Sequence, residues 1–158
     1  MAVMQGGGLT MDIPAGWDAE IYRRPADTAT LSASGVPEQT NAVLHAANFA
    51  LPEPRGDFGS GAVEIMQRHN LLIVLFEYNP EDAQTALFKH VGLPIPLSAD
   101  DFDTHNMQRA RRGLQGCQRF FNTGTRAWSL YVVTAEVGQA ALVAEANQVL
   151  ATVEMSDY

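Results

Sequence analysis

Four histidines and one cysteine are the first side chains in this sequence of 158 residues whose chemistry could serve catalysis. Imidazole titrates near neutral pH and binds metals, and a thiolate is a nucleophile. His45 falls on a mainly apolar strand pattern, which favours a hydrogen-bonded core residue over a general base. Alternation places Cys117 on one strand face with Arg119 and Phe121. Arg119 could lower the thiol pKa, but a free cysteine in a strand is more typical of a small buried apolar residue.

One short segment concentrates potential metal ligands, with Asp100, Asp101, Asp103 and His105 within six residues. Carboxylate and imidazole groups bind divalent cations. The segment lacks the glycine and the distal glutamate of an EF-hand loop, and acidic residues at a helix start explain it equally well. We therefore expect no metal site.

Known catalytic and cofactor-binding motifs are missing from the sequence. It contains no Gly-x-Ser-x-Gly turn, no phosphate-binding loop and no His-Glu-x-x-His helix. Gly6 to Gly8 precede a predicted strand and do not connect a strand to a helix, so we interpret residues 1–7 as a flexible tail. These patterns predict no catalytic residue and no cofactor.

A basic cluster, Arg109, Arg111 and Arg112, is the candidate interaction patch of the chain. Guanidinium groups bind phosphate, carboxylate or an acidic protein surface. The alternative interpretation is a solvated helix end, where cations also complement the helix dipole.

Composition and charge narrow the class of protein. The chain has 46% hydrophobic and 18% charged residues and a net charge of −8, which predicts a single folded domain over residues 1–158. The negative charge disfavours nonspecific binding to nucleic acid. The longest apolar run, Leu71 to Phe76, is too short to span a bilayer, and no secretory signal is visible, so we expect a cytoplasmic protein without membrane insertion.

Alternation and apolar runs predict six strands. Leu71 to Tyr78 is nearly continuous in apolar residues, so we expect it to lie inside a sheet that is covered on both faces. A hairpin is predicted from two strands joined through Thr123 and Gly124. The other predicted strands are Leu9–Ile13, Asp18–Arg24 and Val43–Leu51, and the hairpin strands are Gln115–Asn122 and Thr125–Thr134.

Helical periodicity is strongest near the end of the chain. Apolar residues recur at three- and four-residue intervals from Gly138 to Val153, which predicts an amphipathic helix. Short helices are also predicted at Ser60–Arg68, with Ser60 as a cap, and at Phe102–Arg111 after the helix start at Ser98. Ala83–His90 is left open between a short helix and an irregular edge, and Pro25–Thr40 is predicted to be a long loop.

The segment Gly8-Leu-Thr-Met-Asp-Ile-Pro-Ala-Gly-Trp17, followed by antiparallel strands and a helix after a Trp/Tyr-rich strand, resembles the PsbP-like superfamily, with its LpqN-type and DcrB-like branches. The matching motif is a strand that ends in Pro-x-x-Trp, here Pro14 to Trp17. The resemblance implies an α+β fold, an α/β/α sandwich around a twisted, mainly antiparallel sheet. It also implies structural roles for Pro14 and Trp17, and proteins that work by binding.

Two functions follow as hypotheses. The first is a non-enzymatic binding or adaptor protein that engages another polypeptide or forms a homo-oligomer. The second is a small enzyme or small-molecule binder with a pocket near His45 and Cys117, which requires the fold to bring such side chains together.

Overall fold

Strands dominate the architecture, a mostly-β fold with two antiparallel sheets and one C-terminal helix. The computed structural model describes residues 2–25 and 40–156. The small sheet has the order β1-β2-β8, and the large sheet has the order β3-β4-β5-β7-β6. The elements are β1 (Ala2–Gly6), β2 (Leu9–Ile13), β3 (Asp18–Pro25), β4 (Thr40–Ala47), β5 (Leu71–Glu77), β6 (Leu114–Asn122), β7 (Ala127–Ala135), α1 (Gln139–Leu150) and β8 (Glu154–Met155).

The centre of the large sheet confirms the prediction for the apolar run. Every residue of β5 is buried, and β5 pairs with β4 on one side and with β7 on the other. Strand β7 is also buried throughout and pairs with β6 in the predicted hairpin. Gly124 lies in the hairpin turn with φ +103°, where glycine carries no steric cost.

The two faces of the large sheet are covered differently. On the helix face, the side chain of Gln139 at the start of α1 donates a hydrogen bond to Thr134 of β7. On the opposite face, which we call the loop face, Phe58 stacks on Phe76 of β5 with ring centroids 4.5 Å apart. In the part of the chain that the structure describes, segments with short 3-10 turns cover the loop face, and no α-helix lies there.

The residues of the Pro-x-x-Trp motif have structural contacts, as the resemblance implied for Trp17. Trp17 is partly buried against the core, and its indole N–H donates to the carboxylate of Glu145 on α1 at 3.2 Å. The amide of Trp17 also donates to the carbonyl of Pro14. The motif thus fixes the end of the small sheet to the helix.

The start of the chain corrects a prediction. Residues 1–7 were expected to be a flexible tail, but Ala2–Gly6 form β1 and pair with β2 in continuous register. Gly7 and Gly8 form the connecting turn with φ of +56° and +80°, the left-handed values that a two-residue hairpin needs. The consecutive glycines therefore make a turn.

The larger differences from the predicted elements concern one strand and two short helices. Strand β4 ends at Ala47, since the Asn48 side chain accepts a hydrogen bond from the amide of Leu71 and closes the ladder. The predicted helix at Ser60–Arg68 is reduced to one 3-10 turn, Val63–Ile65. Phe102–Arg111 contains the 3-10 turn Thr104–Asn106 and no α-helix.

Two irregular segments and the question of a membrane span complete the comparison with the sequence-based predictions. Ala83–His90 is an irregular edge that contains the turn Ala86–Phe88 and the end of the turn Pro80–Gln84. The predicted loop at Pro25–Thr40 lies largely outside the described residues. No helix in the described parts of the chain is long and apolar enough to cross a membrane.

Candidate functional site

His45 lies in a buried hydrogen-bond chain on the loop face. It is fully buried, and its Nδ1 accepts a hydrogen bond from Nε of Arg55 at 3.0 Å. Its Nε2 lies 2.8 Å from the carbonyl oxygen of Asp57, so the neutral ring carries its proton on Nε2. Arg55 also pairs with Glu20 of β3. The sequence-based interpretation of His45 as a hydrogen-bonded core residue is confirmed.

The surroundings of His45 keep the imidazole neutral. Burial lowers its pKa, and the positive charge of Arg55 acts in the same direction, while the hydrogen bond to the Asp57 carbonyl opposes them. Neither ring nitrogen is available to a substrate, since both are committed to protein groups. His45 therefore holds residues 52–58 against the sheet.

The lowered pKa of His45 predicts a loss of stability in mild acid. The unfolded chain binds a proton at its ordinary pKa of about 6.5, whereas the folded chain resists protonation. The contribution of neutral His45 to the free energy of unfolding is therefore fully present above that pH and decreases as the pH falls. In His45→Gln, the amide can keep both hydrogen bonds but does not titrate. When the pH is lowered from 7.5 to 5.5, we expect urea unfolding to show that wild type loses about 1 kcal/mol more stability than this variant.

The matched control is His90→Gln, which replaces a histidine on the surface. Because folding does not bury that side chain, we expect this variant to lose as much stability as wild type between pH 7.5 and 5.5. Equal pH dependence in wild type and His45→Gln would show that the imidazole titrates alike in the folded and unfolded chains.

Cys117 lies far from His45. In the register across the large sheet, His45 is aligned with Val74, Tyr131 and Gln118, and Cys117 precedes Gln118, so it faces the helix side. Three strand spacings, roughly 14 Å, also separate them. Burial raises the pKa of the Cys117 thiol, although Arg119 partly opposes this. Because they lie on opposite faces of the large sheet, these two side chains do not line a common pocket among the described residues.

In the acidic segment, residues 100–105, Asp101 and Asp103 form contacts with neighbouring protein groups. Asp101 pairs with Arg119, and its carboxylate closes a capping box with Ser98, as the predicted helix start required. His105 donates to Asp103 from its backbone amide, and its ring also contacts that carboxylate; these contacts lower the pKa of Asp103. Within residues 2–25 and 40–156, no group of three or more His, Cys, Asp or Glu side chains could hold a metal ion.

The three arginines of the predicted patch are all exposed, in the loop before β6. They do not lie at a helix end, which removes the dipole interpretation of their positions. Arg109 lines a groove on the loop face, whereas Arg111 and Arg112 do not line it. The fold thus separates Arg109 from its neighbours in sequence.

This arginine–aromatic groove is the best candidate site. It has a volume of about 520 Å³ and is lined by Arg24, Asp57, Phe58, Ser60, Phe76, Tyr78, Gln108 and Arg109. Phe76 contacts both Phe58 and Tyr78, with ring centroids 4.5 and 4.8 Å apart, respectively. The guanidinium carbon of Arg24 lies 4.1 Å from the centre of the Phe76 ring. The groove therefore combines an aromatic floor with positive charge.

Asp57, the carboxylate that the described residues place in the groove, is already engaged. Tyr22 donates its hydroxyl to Asp57 at 2.7 Å, and Nε of Arg24 lies 4.0 Å from the other carboxylate oxygen. Burial and the hydrogen bond to Asp57 raise the pKa of Tyr22, which stays a neutral donor. Asp57 faces Arg24. Arg109, in contrast, carries no ion pair with the described residues, so the groove is suited to an anionic group.

Sequence reasoning identified one residue of the groove, Arg109, and missed its aromatic floor. Phe76 and Tyr78 are two residues apart on β5, a spacing that places both on one face. That spacing could have suggested an aromatic strip. The contribution of Phe58 could not be inferred, since it comes from a distant segment without regular structure.

Comparison with known proteins gives no relative for this chain: no family model, no curated protein and no solved structure matches it.

Proposed function

We propose that this protein is a non-enzymatic binding protein that holds an acidic segment of another polypeptide in the arginine–aromatic groove. The observation that carries the proposal is the presence of Arg24 and Arg109 beside the floor formed by Phe58, Phe76 and Tyr78. Aromatic rings and arginine are the residue types that dominate binding energy in protein interfaces.

Local charge supports an anionic partner. The whole chain has a net charge of −8, but the described residues of the groove supply two guanidinium groups and one carboxylate, which Tyr22 and Arg24 already contact. A carboxylate of the partner would bind Arg109, which forms no ion pair with the described residues, and an apolar neighbour would cover the partly exposed rings of Phe58 and Tyr78. The catalytic alternative lacks comparable support, because His45 is buried and lies apart from Cys117.

The volume of the groove supports a second candidate function, the binding of a small molecule. A volume of about 520 Å³ is within the range of small-molecule sites. A small carboxylate or phosphate compound with a planar apolar part is therefore the alternative ligand.

The test is co-purification from the native host, followed by titration. We expect a stoichiometric polypeptide to be identified by mass spectrometry, and Arg109→Glu to weaken its binding at least tenfold. The matched control is Arg112→Glu, an equally exposed charge reversal outside the groove, which should change the affinity less than twofold. Recovery of a bound small anion would favour the second candidate, and a ligand-free monomer, or equal effects of both variants, would refute the groove.

We also infer that the α/β/α sandwich and membership of the PsbP-like superfamily describe this chain. The inference is supported by the order of elements, with a strand that ends at Pro14 to Trp17, central antiparallel strands and a helix after β7. Helix α1 would form one outer layer, and the segments with 3-10 turns would take the place of the other. Binding as the common activity of that superfamily agrees with the proposed function.

A further inference from the structure

The outer edge of β6 is paired at both ends and open in the middle. At one end, the amide of Asn122 donates to the carbonyl of His90 at 2.8 Å, and the amide of Gly92 donates to the carbonyl of Asn122 at 2.8 Å. At the other end, Asp103 and Gly116 exchange two hydrogen bonds of 2.9 and 3.1 Å. Two segments of the chain thus already pair with this edge, each through an isolated β-bridge.

Alternation determines the direction of the backbone groups between these ends. Gly116 and Asn122 direct their N–H and C=O groups away from β7, so Gln118 and Phe120, at the same parity, do so too. No described residue forms a hydrogen bond with the backbone groups of Gln118 or Phe120. Gln118 and Phe120 are only partly buried. We call these two residues the β6 edge gap.

Apolar side chains lie beside the gap. Val91, which bridges to Asn122, is 76% exposed, and Leu87 is 60% exposed. Phe88 packs edge-on against Phe120 with ring centroids 5.5 Å apart. An apolar side chain entering beside Phe120 would be covered by Val91 and would cover it in return.

We propose that the β6 edge gap binds a short extended segment of a partner polypeptide by strand addition. Two N–H and two C=O groups in strand geometry match the main chain of a peptide and no other class of ligand. Gly116 to Asn122 spans roughly 20 Å, and both ends are blocked. A single segment of three or four residues can therefore enter, whereas the edge of a second copy, which carries a whole sheet, cannot.

The inference extends the proposed function to a second surface and does not depend on the charges of the groove. Gln108 connects the two surfaces, since it lines the groove and donates to the Gln118 side chain at 3.0 Å. The groove requires negative charge in the partner, and the β6 edge gap requires unblocked amides. Each proposal can therefore fail without the other.

Amide exchange with a defined probe tests the β6 edge gap. The probe is the uncharged peptide acetyl-Thr-Val-Thr-amide, whose length matches the gap, added in excess to the isotopically labelled full chain. We expect exchange of the Gln118 and Phe120 amides to slow at least tenfold. The same peptide with N-methylated central amides should give no protection, because it cannot complete the ladder.

Two variants complete the design. Gln118→Pro removes an outward N–H that has no partner in the protein, a position where an edge strand tolerates proline, and it should abolish protection at Phe120. Arg109→Glu should leave protection unchanged, since it affects only the groove. Absence of protection in wild type, or equal protection by the N-methylated peptide, would overturn the proposal even if Gln118→Pro failed to fold.

Discussion

Replacing Glu77 by alanine is expected to lower the free energy of unfolding by about 3–5 kcal/mol, the usual cost of removing one partner from a buried ion pair. Glu77 and Arg126 have side chains that are each 6% exposed. Nε and one terminal nitrogen of Arg126 donate to the two carboxylate oxygens at 2.7 and 3.0 Å. The variant would remove the carboxylate that two nitrogens of this buried guanidinium group contact.

The Glu77–Arg126 ion pair connects several parts of the fold, so its loss should destabilise both sheets together. Glu77 belongs to the large sheet and also accepts a hydrogen bond from the amide of Ala42 on β4. Arg126 donates to the carbonyl of Gly7, in the turn of the small sheet, and to that of Ser156, just after β8. The pair therefore links both sheets and the two ends of the described chain.

Urea unfolding followed by circular dichroism measures the effect, and a double-mutant cycle with Arg126→Met isolates the pair. We expect Glu77→Ala/Arg126→Met to lose less stability than the sum of the single variants, because the double variant buries no unpaired charge. Arg119→Met is the exposed control. Its pair with Asp101 has side chains that are 43% and 25% exposed, so it should cost no more than about 1 kcal/mol. A loss below 1 kcal/mol for Glu77→Ala would contradict the structural role.

The parts of the fold that could be predicted are those with a strong apolar pattern. Strand β5 follows from its continuous apolar run, the β6–β7 hairpin from Gly124 between two β-forming runs, and α1 from its three- and four-residue spacing. In these elements burial and local preference agree. Their existence and pairing could therefore be read from the sequence.

The predicted helix at Phe102–Arg111 was wrong because a tertiary contact competed with local preference. Ser98 does form the predicted cap and the first turn follows it. Asp103 then pairs its backbone with Gly116 on the β6 edge, which requires an extended conformation. A helix through Asp103 would have withheld the groups that this pairing uses, and nothing local in the sequence reveals the distant partner.

The candidate site was least predictable because its residues come from distant parts of the chain. Arg24 belongs to β3, Phe76 to β5, and Phe58 and Arg109 to two irregular segments. Each residue has an ordinary local explanation, as a strand residue, a core aromatic or a solvated cation. Only the pairing order of the large sheet and the packing of Phe58 on Phe76 bring them into one groove.

The turn of the first hairpin provides the second large expected effect. Gly7→Ala should lower the free energy of unfolding by about 2–5 kcal/mol, from about 1–2 kcal/mol for the left-handed backbone and about 1–3 kcal/mol for overpacking. Gly7 has φ +56°, and a Cβ placed there would lie 2.7 Å from Cβ of Ala42, which is fully buried. Neither atom is at the end of a flexible side chain, so one backbone must move.

Gly16→Ala is the matched control for this prediction. Gly16 also has positive φ, +83°, but no atom lies within 4 Å of a Cβ placed there. Gly16→Ala should therefore lower the free energy of unfolding only by the cost of the left-handed backbone, about 1–2 kcal/mol. The difference in this loss between the two variants measures the cost of the close contact between the two sheets. Because Gly7 also accepts the hydrogen bond from Arg126, combining Gly7→Ala with Glu77→Ala should give less than the sum of the two losses. Strict additivity would mean that the turn and the ion pair stabilise the sheets independently.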